Sequence, residues 1–236
     1  MKGTVLVFDV ETSGLLNKEK PIEKKPFILQ MSYLIYDIIN QKCIKAVDSY
    51  IQVDPSVVIT PEITKINHCT RDKCDNGVPI TKMLVDFYQD VHSVEYVIAH
   101  NFDFDSNMVR LEFQRNWHEL KDITPHGLQL FDPHYLKTEG IKRLCTMLDT
   151  TNMVQAPHKN PKPDDARNGN FKWPSLIELN VHLFGKVPEN MHNSAFDVLA
   201  TIRAFMKYKY DVSLTQKEMD TIVEAFDYSI MERESE

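Results

Sequence analysis

The run Thr-Val-Leu-Val-Phe at residues 4–8 is short, apolar and rich in β-branched side chains, which predicts a buried central strand. Asp9 and Glu11 follow where this strand should end, and residues 12–14 then break the strand pattern. Because side chains alternate along a strand, both carboxylates point to the same side. Such close anions repel each other unless a cation neutralises them, and oxygen ligands suit Mg²⁺ or Mn²⁺. The pattern therefore predicts a divalent-metal site, with a solvated strand end as the alternative.

Two later stretches carry similar residues. A strand-like run at residues 96–99 leads into His-Asn-Phe-Asp-Phe-Asp at residues 100–105, and His-Asn-Ser-Ala-Phe-Asp occupies residues 192–197. With these motifs in this order, the chain resembles the DEDDh family of 3′-to-5′ exonucleases over about residues 4–210. That family includes proofreading subunits of bacterial replicases, stand-alone DNA exonucleases and oligoribonucleases.

The order of elements along the chain is informative about the fold. Strands alternate with helices, which predicts an α/β fold. The resemblance implies the ribonuclease H-like type, a mixed five-stranded sheet flanked by helices, in which the motifs meet at one end of the sheet. It also implies a DEDDh exonuclease domain at residues 1–210, followed by a C-terminal helical extension at residues 211–236.

The resemblance also implies the chemistry of the site. Two divalent cations, Mg²⁺ or Mn²⁺, would clamp the phosphodiester for in-line displacement. The implied metal ligands, which are also the catalytic acids, are Asp9, Glu11, Asp105 and Asp197. His192 is the implied general base for the attacking water, since imidazole titrates near neutral pH.

Asp103 competes with Asp105 for the metal role. Both acids lie near the start of a predicted helix, where the helix macrodipole favours an anion. The family pattern His-Asn-x-x-Phe-Asp selects Asp105, and Asp103 then remains a helix-start acid.

The expected substrate-binding residues are Thr12, Leu15, His100, Asn101 and Phe104. In the family, the positions of Thr12 and Leu15 seat the 3′-terminal nucleotide, the first through its backbone and the second by wedging beside the last base. Phe104 is expected to pack against that nucleotide, with a place in the core as the alternative. His100 and Asn101 are expected to support the site rather than perform its chemistry.

A long polar loop at residues 155–172 is a second candidate contact with nucleic acid. Its basic and aromatic residues, together with the adjacent tryptophan, could hold a single strand through charge and stacking. They are Lys159, Lys162, Arg167, Phe171, Lys172 and Trp173. An ordinary exposed connector is the alternative.

Composition limits the class of protein. The chain has 236 residues, 42% of them hydrophobic, enough to bury one sizeable core, and it is expected to form a single domain. A formal net charge of −7 argues against broad, nonspecific binding to a phosphate backbone, although cations at an acidic site can bridge to phosphates. No stretch approaches the roughly 18 apolar residues of a membrane helix, and the N-terminus lacks a signal-peptide pattern. Four scattered cysteines favour a reducing compartment, the cytoplasm or the nucleus.

Hydrophobic periodicity and turn residues predict the remaining elements. A strand hairpin is expected at residues 26–37 and 43–53, and the last strand at residues 143–148. Helices are expected at residues 79–91, 104–117, 173–185, 193–209 and 216–231. Residues 18–26 form a predicted loop beside the site, and residues 119–141 look like an insertion between a helix and a strand.

The predicted activity is hydrolysis of phosphodiester bonds from a 3′ end, releasing 5′-mononucleotides. Single-stranded DNA, or a frayed duplex 3′ end, is the expected substrate, because residues 145–147, 172–174 and 192–197 resemble the DNA exonuclease and proofreading branch more than oligoribonucleases. An RNA-trimming exonuclease is the nearer alternative. The other is a non-catalytic module that binds a polymerase or another protein through the C-terminal helix, and the five intact catalytic positions argue against it.

Overall fold

The computed structural model describes residues 3–17, 19–159, 169–188 and 190–234, which form an α/β fold around one mixed sheet. The strands are β1 (Thr4–Thr12), β2 (Ile28–Asp37), β3 (Lys42–Gln52), β4 (Val78–Pro79), β5 (Tyr96–Ala99) and β6 (Lys142–Cys145). The helices are α1 (Pro61–Asn67), α2 (Arg71–Asp75), α3 (Ile80–Val91), α4 (Phe102–Arg115), α5 (Trp117–Leu120), α6 (Pro133–Thr138), α7 (Thr146–Asp149), α8 (Thr151–Val154), α9 (Leu176–Phe184), α10 (Ser194–Tyr210) and α11 (Gln216–Glu234).

Strand β1 lies inside the sheet, whose strand order is β4-β3-β2-β1-β5-β6. It pairs antiparallel with β2 on one side and parallel with β5 on the other, and β6 continues the parallel half. Since parallel strands end at the same edge, the carboxyl ends of β1, β5 and β6 lie together. That edge is where the motifs after β1 and β5 must meet.

The two faces of β1 enter two different apolar clusters. Leu6 and Phe8 point into the α4-side core, which also contains buried side chains of α3 and α4. Val7 points into the α10-side core on the opposite face, which contains buried side chains of α10 and α11. Asp9 and Glu11 continue the odd-numbered series of Val7, so both carboxylates face α10.

Helix α11 packs on the body of the protein against β3. Its side chains Ile222 and Phe226 are buried in the α10-side core. The domain boundary expected at residues 210/211 and the binding of a polymerase through this helix both stay predictions.

The predicted α/β class, with a mixed sheet flanked by helices, is confirmed, and three details differ. The sheet has six strands rather than five, because the two-residue strand β4 pairs parallel with the end of β3. The last strand covers residues 142–145 and not 143–148, because Thr146 begins α7. Residues 119–141 contain α6, so this stretch is the connection between α4 and β6, with a helix of its own.

In the part of the chain that the structure describes, no helix is both long enough and apolar enough to span a bilayer.

Candidate active site

The first acids of the site lie at the carboxyl end of β1. Asp9 and Glu11 stand opposite Ser32 and Gln30 of β2, and the pairing shifts by one residue immediately after Glu11. This irregularity interrupts the regular ladder just before β1 ends at Thr12. Both acids are only partly exposed, because helix α10 lies over the face to which they point.

Asp105 reaches this edge from helix α4. The helix starts directly after β5, the parallel neighbour of β1, so its first turn lies at the same edge of the sheet. The Asp105 carboxylate is 3% exposed and accepts a hydrogen bond from the backbone N–H of Val10 at 3.3 Å. Asp103, its competitor, is exposed and forms an ion pair with Arg143 at 3.9 Å. The structure therefore places Asp105, and not Asp103, among the acids of β1.

Asp197 and His192 belong to the start of helix α10. Asn193 caps this helix by accepting a hydrogen bond from the Ala195 N–H, and Asp197 lies in the first turn. The buried Asp197 carboxylate accepts a hydrogen bond from the His192 backbone N–H at 3.4 Å. His192 has a φ of 67°, a left-handed conformation that is uncommon outside glycine and often found at functional sites. Its side chain is exposed, and ligand atoms of Glu11, His192 and Asp197 all lie within 4.8 Å of one another.

The pKa values of all four acids are raised, and burial is the first cause in each case. Burial raises the pKa of Glu11 to about 8 and that of Asp197 to about 7. The pKa values of Asp9 and Asp105 lie well above the ordinary value, and the negative charges of neighbouring acids add to the rise. The short distance between Glu11 and Asp197 and the bond of Asp105 to the backbone of β1 agree with this mutual influence, so the four carboxylates form one cluster.

The donor set of this cluster fits divalent cations. Within the described residues, no Lys or Arg forms an ion pair with any of the four acids. Four neighbouring carboxylates that are buried or half-buried without a basic partner are unfavourable as a group unless they bind protons or metal ions. Their hard oxygen atoms are the ligands that Mg²⁺ and Mn²⁺ prefer. The assignment of two such cations here stays a prediction.

His100 holds three segments together at the edge of the site. One ring nitrogen contacts the Thr146 hydroxyl at 3.0 Å, and the other lies 3.0 Å from the Pro174 carbonyl oxygen. Burial lowers the pKa of His100 to about 4, so the ring is neutral at physiological pH. Its Nε2–H therefore donates to Pro174, and Nδ1 accepts from Thr146. This geometry supports the site, while contact of His100 with substrate stays a prediction.

The other expected substrate-binding residues lie around the acids. Leu15 is 90% exposed, as a side chain available to a ligand must be. The Thr12 carbonyl oxygen accepts a hydrogen bond from the Asn67 side chain at 3.2 Å. Asn101 is exposed at the start of α4, and Phe104 is half-buried against the α4-side core. Their contacts with a nucleotide stay predictions.

Asn67 is a site residue that sequence reasoning missed. It is the last residue of α1 and is 3% exposed. Its side chain binds the Thr12 carbonyl, and a hydrogen bond from it lowers the pKa of Glu11 against the larger effect of burial. An asparagine near a helix end usually indicates only a helix cap. Asn67 and Thr12 are 55 residues apart, so nothing in the local sequence predicts that they are in contact.

The candidate basic loop is only partly described, since Lys162 and Arg167 lie outside the described residues. Lys172 forms an ion pair with Glu178 at 2.5 Å, so its charge is already balanced within the protein. Trp173 is 64% exposed and directly precedes Pro174, whose carbonyl binds His100. The stacking of Trp173 on a base stays a prediction.

Comparison with known proteins supports this assignment. The RNase_T family, described as exonucleases, matches residues 6–205. No protein with curated function matches the sequence significantly.

Three solved structures share the fold at low identity. The Escherichia coli ExoI–ssDNA complex in a zinc-bound form has a TM-score of 0.60 at 17% identity over 93% of this chain and 42% of that chain. The nuclease domain of 3′hExo bound to rAMP, a DEDDh family member, has a TM-score of 0.57 at 13% identity over 88% of this chain and 92% of that chain. A 3′-exonuclease that recognises the 3′ end of a histone mRNA stem-loop has a TM-score of 0.59 at 12% identity over 89% of this chain and 83% of that chain.

The fold of these neighbours confirms the ribonuclease H-like type of sheet. The family match covers all three motifs, from the acids of β1 to Asp197. The structure brings the four carboxylates of these motifs to one edge of the sheet, with the histidine of the third motif beside them. The chain belongs to the RNase_T family of exonucleases.

Proposed function

We propose that this protein removes nucleotides one at a time from the 3′ end of single-stranded DNA, with two divalent cations held by the carboxylate cluster. The observation that carries the proposal is the convergence of four acids, two buried and two half-buried, without a basic partner in the described residues, beside an exposed histidine. Such a cluster is suited to holding cations against a phosphate and has no other evident stabilising role.

The acids have distinct parts in this proposal. When bound, the cations supply Lewis acidity for both the attacking and the departing oxygen. Glu11 and Asp197 would hold one side of the cation site, because their carboxylate oxygens lie within 4.8 Å of each other. Asp105 is held beside the acids of β1, because its carboxylate accepts a hydrogen bond from the Val10 N–H, which lies between Asp9 and Glu11 in the chain.

His192 would act as the general base. Its imidazole is exposed, and the Asp197 carboxylate holds its backbone, so the ring is held beside the cluster without being buried in it. A water molecule would lose a proton to the ring and attack the last phosphorus atom. The bond from phosphorus to the 3′ oxygen of the preceding nucleotide then breaks, and this oxygen takes a proton from solvent. The products are a 5′-mononucleotide and a strand shortened by one residue, which ends in a 3′-hydroxyl.

DNA is the proposed substrate because residues 145–147, 172–174 and 192–197 resemble the DNA branch of the family. The known neighbours do not decide the matter, since one is a complex with single-stranded DNA and two are exonucleases with RNA or a ribonucleotide. RNA trimming is therefore the second candidate. A protein distinguishes RNA chiefly through the 2′-hydroxyl, so a comparison of matched substrates is needed.

The experiment offers DNA and RNA oligonucleotides of one sequence at equal concentration, labelled at the 5′ end, with Mg²⁺ and then Mn²⁺. We expect ladders that shorten from the 3′ end, faster on DNA than on RNA. Asp105→Asn serves as the inactive enzyme, and Asp103→Asn, an exposed acid on the same helix, serves as its matched control. Faster trimming of RNA would reject DNA as the substrate and favour the second candidate.

A further inference from the structure

A second group of polar side chains lies buried beside the carboxylate cluster. It consists of Gln30 and Ser32 on β2, Asp48 on β3 and Ser194 at the start of α10. Gln30, Ser32 and Ser194 are fully buried, and Asp48 is 7% exposed. Buried polar groups lower the stability of the fold unless they form hydrogen bonds, so each of these side chains is expected to have a partner.

The donors and acceptors of this group form a closed cycle. Ser32 Oγ donates to Asp48 Oδ1 at 2.5 Å, and Gln30 Nε2 donates to the same oxygen at 2.9 Å. A hydroxyl has one proton, so Ser194 Oγ must donate in its contact with Ser32 Oγ. The Ser194 backbone N–H donates to Gln30 Oε1 at 3.4 Å, which satisfies one of the N–H groups left free at a helix start. We call these four residues the buried polar cycle.

The cycle touches both halves of the active site. Ser32 stands opposite Asp9 and Gln30 stands opposite Glu11 in the β1–β2 register, so each is the cross-strand neighbour of a metal-binding acid. On α10, Ser194 precedes Asp197 by three residues, and residues three apart share one face of a helix. The cycle therefore connects the strand face that carries two acids with the helix face that carries a third.

We propose that Gln30, Ser32, Asp48 and Ser194 are positioning residues that fix α10 on the sheet and thereby set the affinity of the cluster for divalent cations. The proposal rests on the proposed function, in that the cluster binds such cations. Ser194 joins the first turn of α10 to β2 through two hydrogen bonds, which are directional. Apolar contacts are not directional, so they resist sliding of the helix along the sheet less well. The directional bonds to Ser194 fix its position along the strands, and with it the distance from Asp197 to Asp9 and Glu11.

The test measures Mn²⁺ binding to the full chain by electron paramagnetic resonance, which follows the free ion and needs no turnover. Ser32→Ala and Ser194→Ala each break the cycle, and we expect each to weaken Mn²⁺ binding about tenfold, the usual lower range for residues that orient metal ligands. The double variant should lose little more than either single one, because both remove the same cycle. Ser49→Ala is the matched control. Ser49 is a buried serine next to Asp48 on β3, but its hydroxyl donates to the Asp48 backbone carbonyl and so takes no part in the cycle.

The outcomes separate positioning from ordinary core packing. Thermal unfolding in EDTA reports the stability of each variant. If the two variants unfold earlier but bind Mn²⁺ as tightly as Ser49→Ala and the wild type, the proposal is overturned. If Ser32→Ala does not fold, the Mn²⁺ affinity of Ser194→Ala alone tests the proposal. This variant removes only the hydroxyl that donates to Ser32 and leaves the bond from Ser32 to Asp48 in place. A wild type that binds Mn²⁺ but releases no nucleotide would refute the proposed function and leave the positioning result unaffected.

Discussion

Replacing Asp197 by Asn is expected to stabilise the metal-free protein at alkaline pH. The Asp197 side chain is 7% exposed and faces Glu11, with Asp9 and Asp105 in the same cluster. Burial raises its pKa from 3.8 to about 7, against the hydrogen bond from the His192 N–H. Asn has nearly the same volume, and its oxygen can accept that same bond. The substitution therefore removes an unfavourable charge and little else.

The size of the effect follows from the pKa. At about 1.36 kcal/mol for each pH unit, the rise of the Asp197 pKa from 3.8 to about 7 makes its ionisation at pH 8 cost about 4 kcal/mol. Because neighbouring acids share the repulsion, we expect a gain of about 2–4 kcal/mol, which for this chain length is about 5–10 °C in Tm. Below pH 4 the carboxyl is protonated in both the folded and the unfolded protein, so its raised pKa costs no stability. As the pH rises from 4 to 7, only the unfolded protein gains by ionising this group, and the folded protein loses stability until the loss is complete above pH 7. The wild type should thus lose stability between pH 5 and pH 8, and the variant should lose less.

The assay is thermal unfolding in EDTA at pH 5 and pH 8. Asp103→Asn is the control, since this acid is exposed and pairs with Arg143. Mg²⁺ at pH 8 should stabilise the wild type and have little effect on Asp197→Asn. An Asp197→Asn protein that is no more stable than the wild type at pH 8, or that gains equally at pH 5, would refute the electrostatic reasoning.

Three other substitutions test separate parts of the structure. Asp105→Ala should nearly abolish nucleotide release in a gel time course while Asp103→Ala stays near the wild-type rate, and the reverse ranking would move the ligand to Asp103. His192→Ala should lose most of the rate, because it removes the proposed base, and an unchanged rate would exclude it as the base. Arg115→Met leaves the buried Glu112 carboxylate without its counter-charge at 2.6 Å and frees three backbone carbonyls of the loop before β2. Urea unfolding should show a loss of about 3–5 kcal/mol, partly recovered when Glu112→Gln is added, and a loss below about 1 kcal/mol would contradict this role.

The elements that sequence reasoning predicted well have a strong local pattern. The continuous apolar run at residues 4–8 predicted a buried strand, along which side chains alternate and Asp9 and Glu11 share a face, and the structure contains this strand as β1. The apolar repeat of α10 predicted a helix at residues 193–209, close to the observed Ser194–Tyr210. In both cases the local pattern and the tertiary packing favour the same structure.

The errors arise where tertiary contacts decide a short element. Met147 and Leu148 extended the apolar run of β6, and such a run does not distinguish a strand from a helical turn. Thr146 instead starts α7, with its hydroxyl bound to His100. The two-residue β4 exists only through its pairing with β3. No period in the sequence could predict either feature.

The polar residues that support the site could not be predicted either, because their partners are distant in the sequence. Asn67 binds a carbonyl 55 positions away, and Ser32 binds Ser194 across 162 positions. Each looks like an ordinary strand or helix-end residue in its local context. The motif acids were recognised because the family pattern supplied their spatial relation, which composition and spacing could not.

The central claim, that the four acids bind cations for nucleotide release from a 3′ end, is tested most directly with one DNA strand and one variant. The measurement follows a 5′-labelled single strand with Mg²⁺, in wild type and Asp9→Asn, and identifies the released product by mass spectrometry. We expect stepwise shortening and 5′-mononucleotides with the wild type, and neither with Asp9→Asn or in EDTA. Release that persists in Asp9→Asn or EDTA, or a wild type inactive with both Mg²⁺ and Mn²⁺, would contradict the claim.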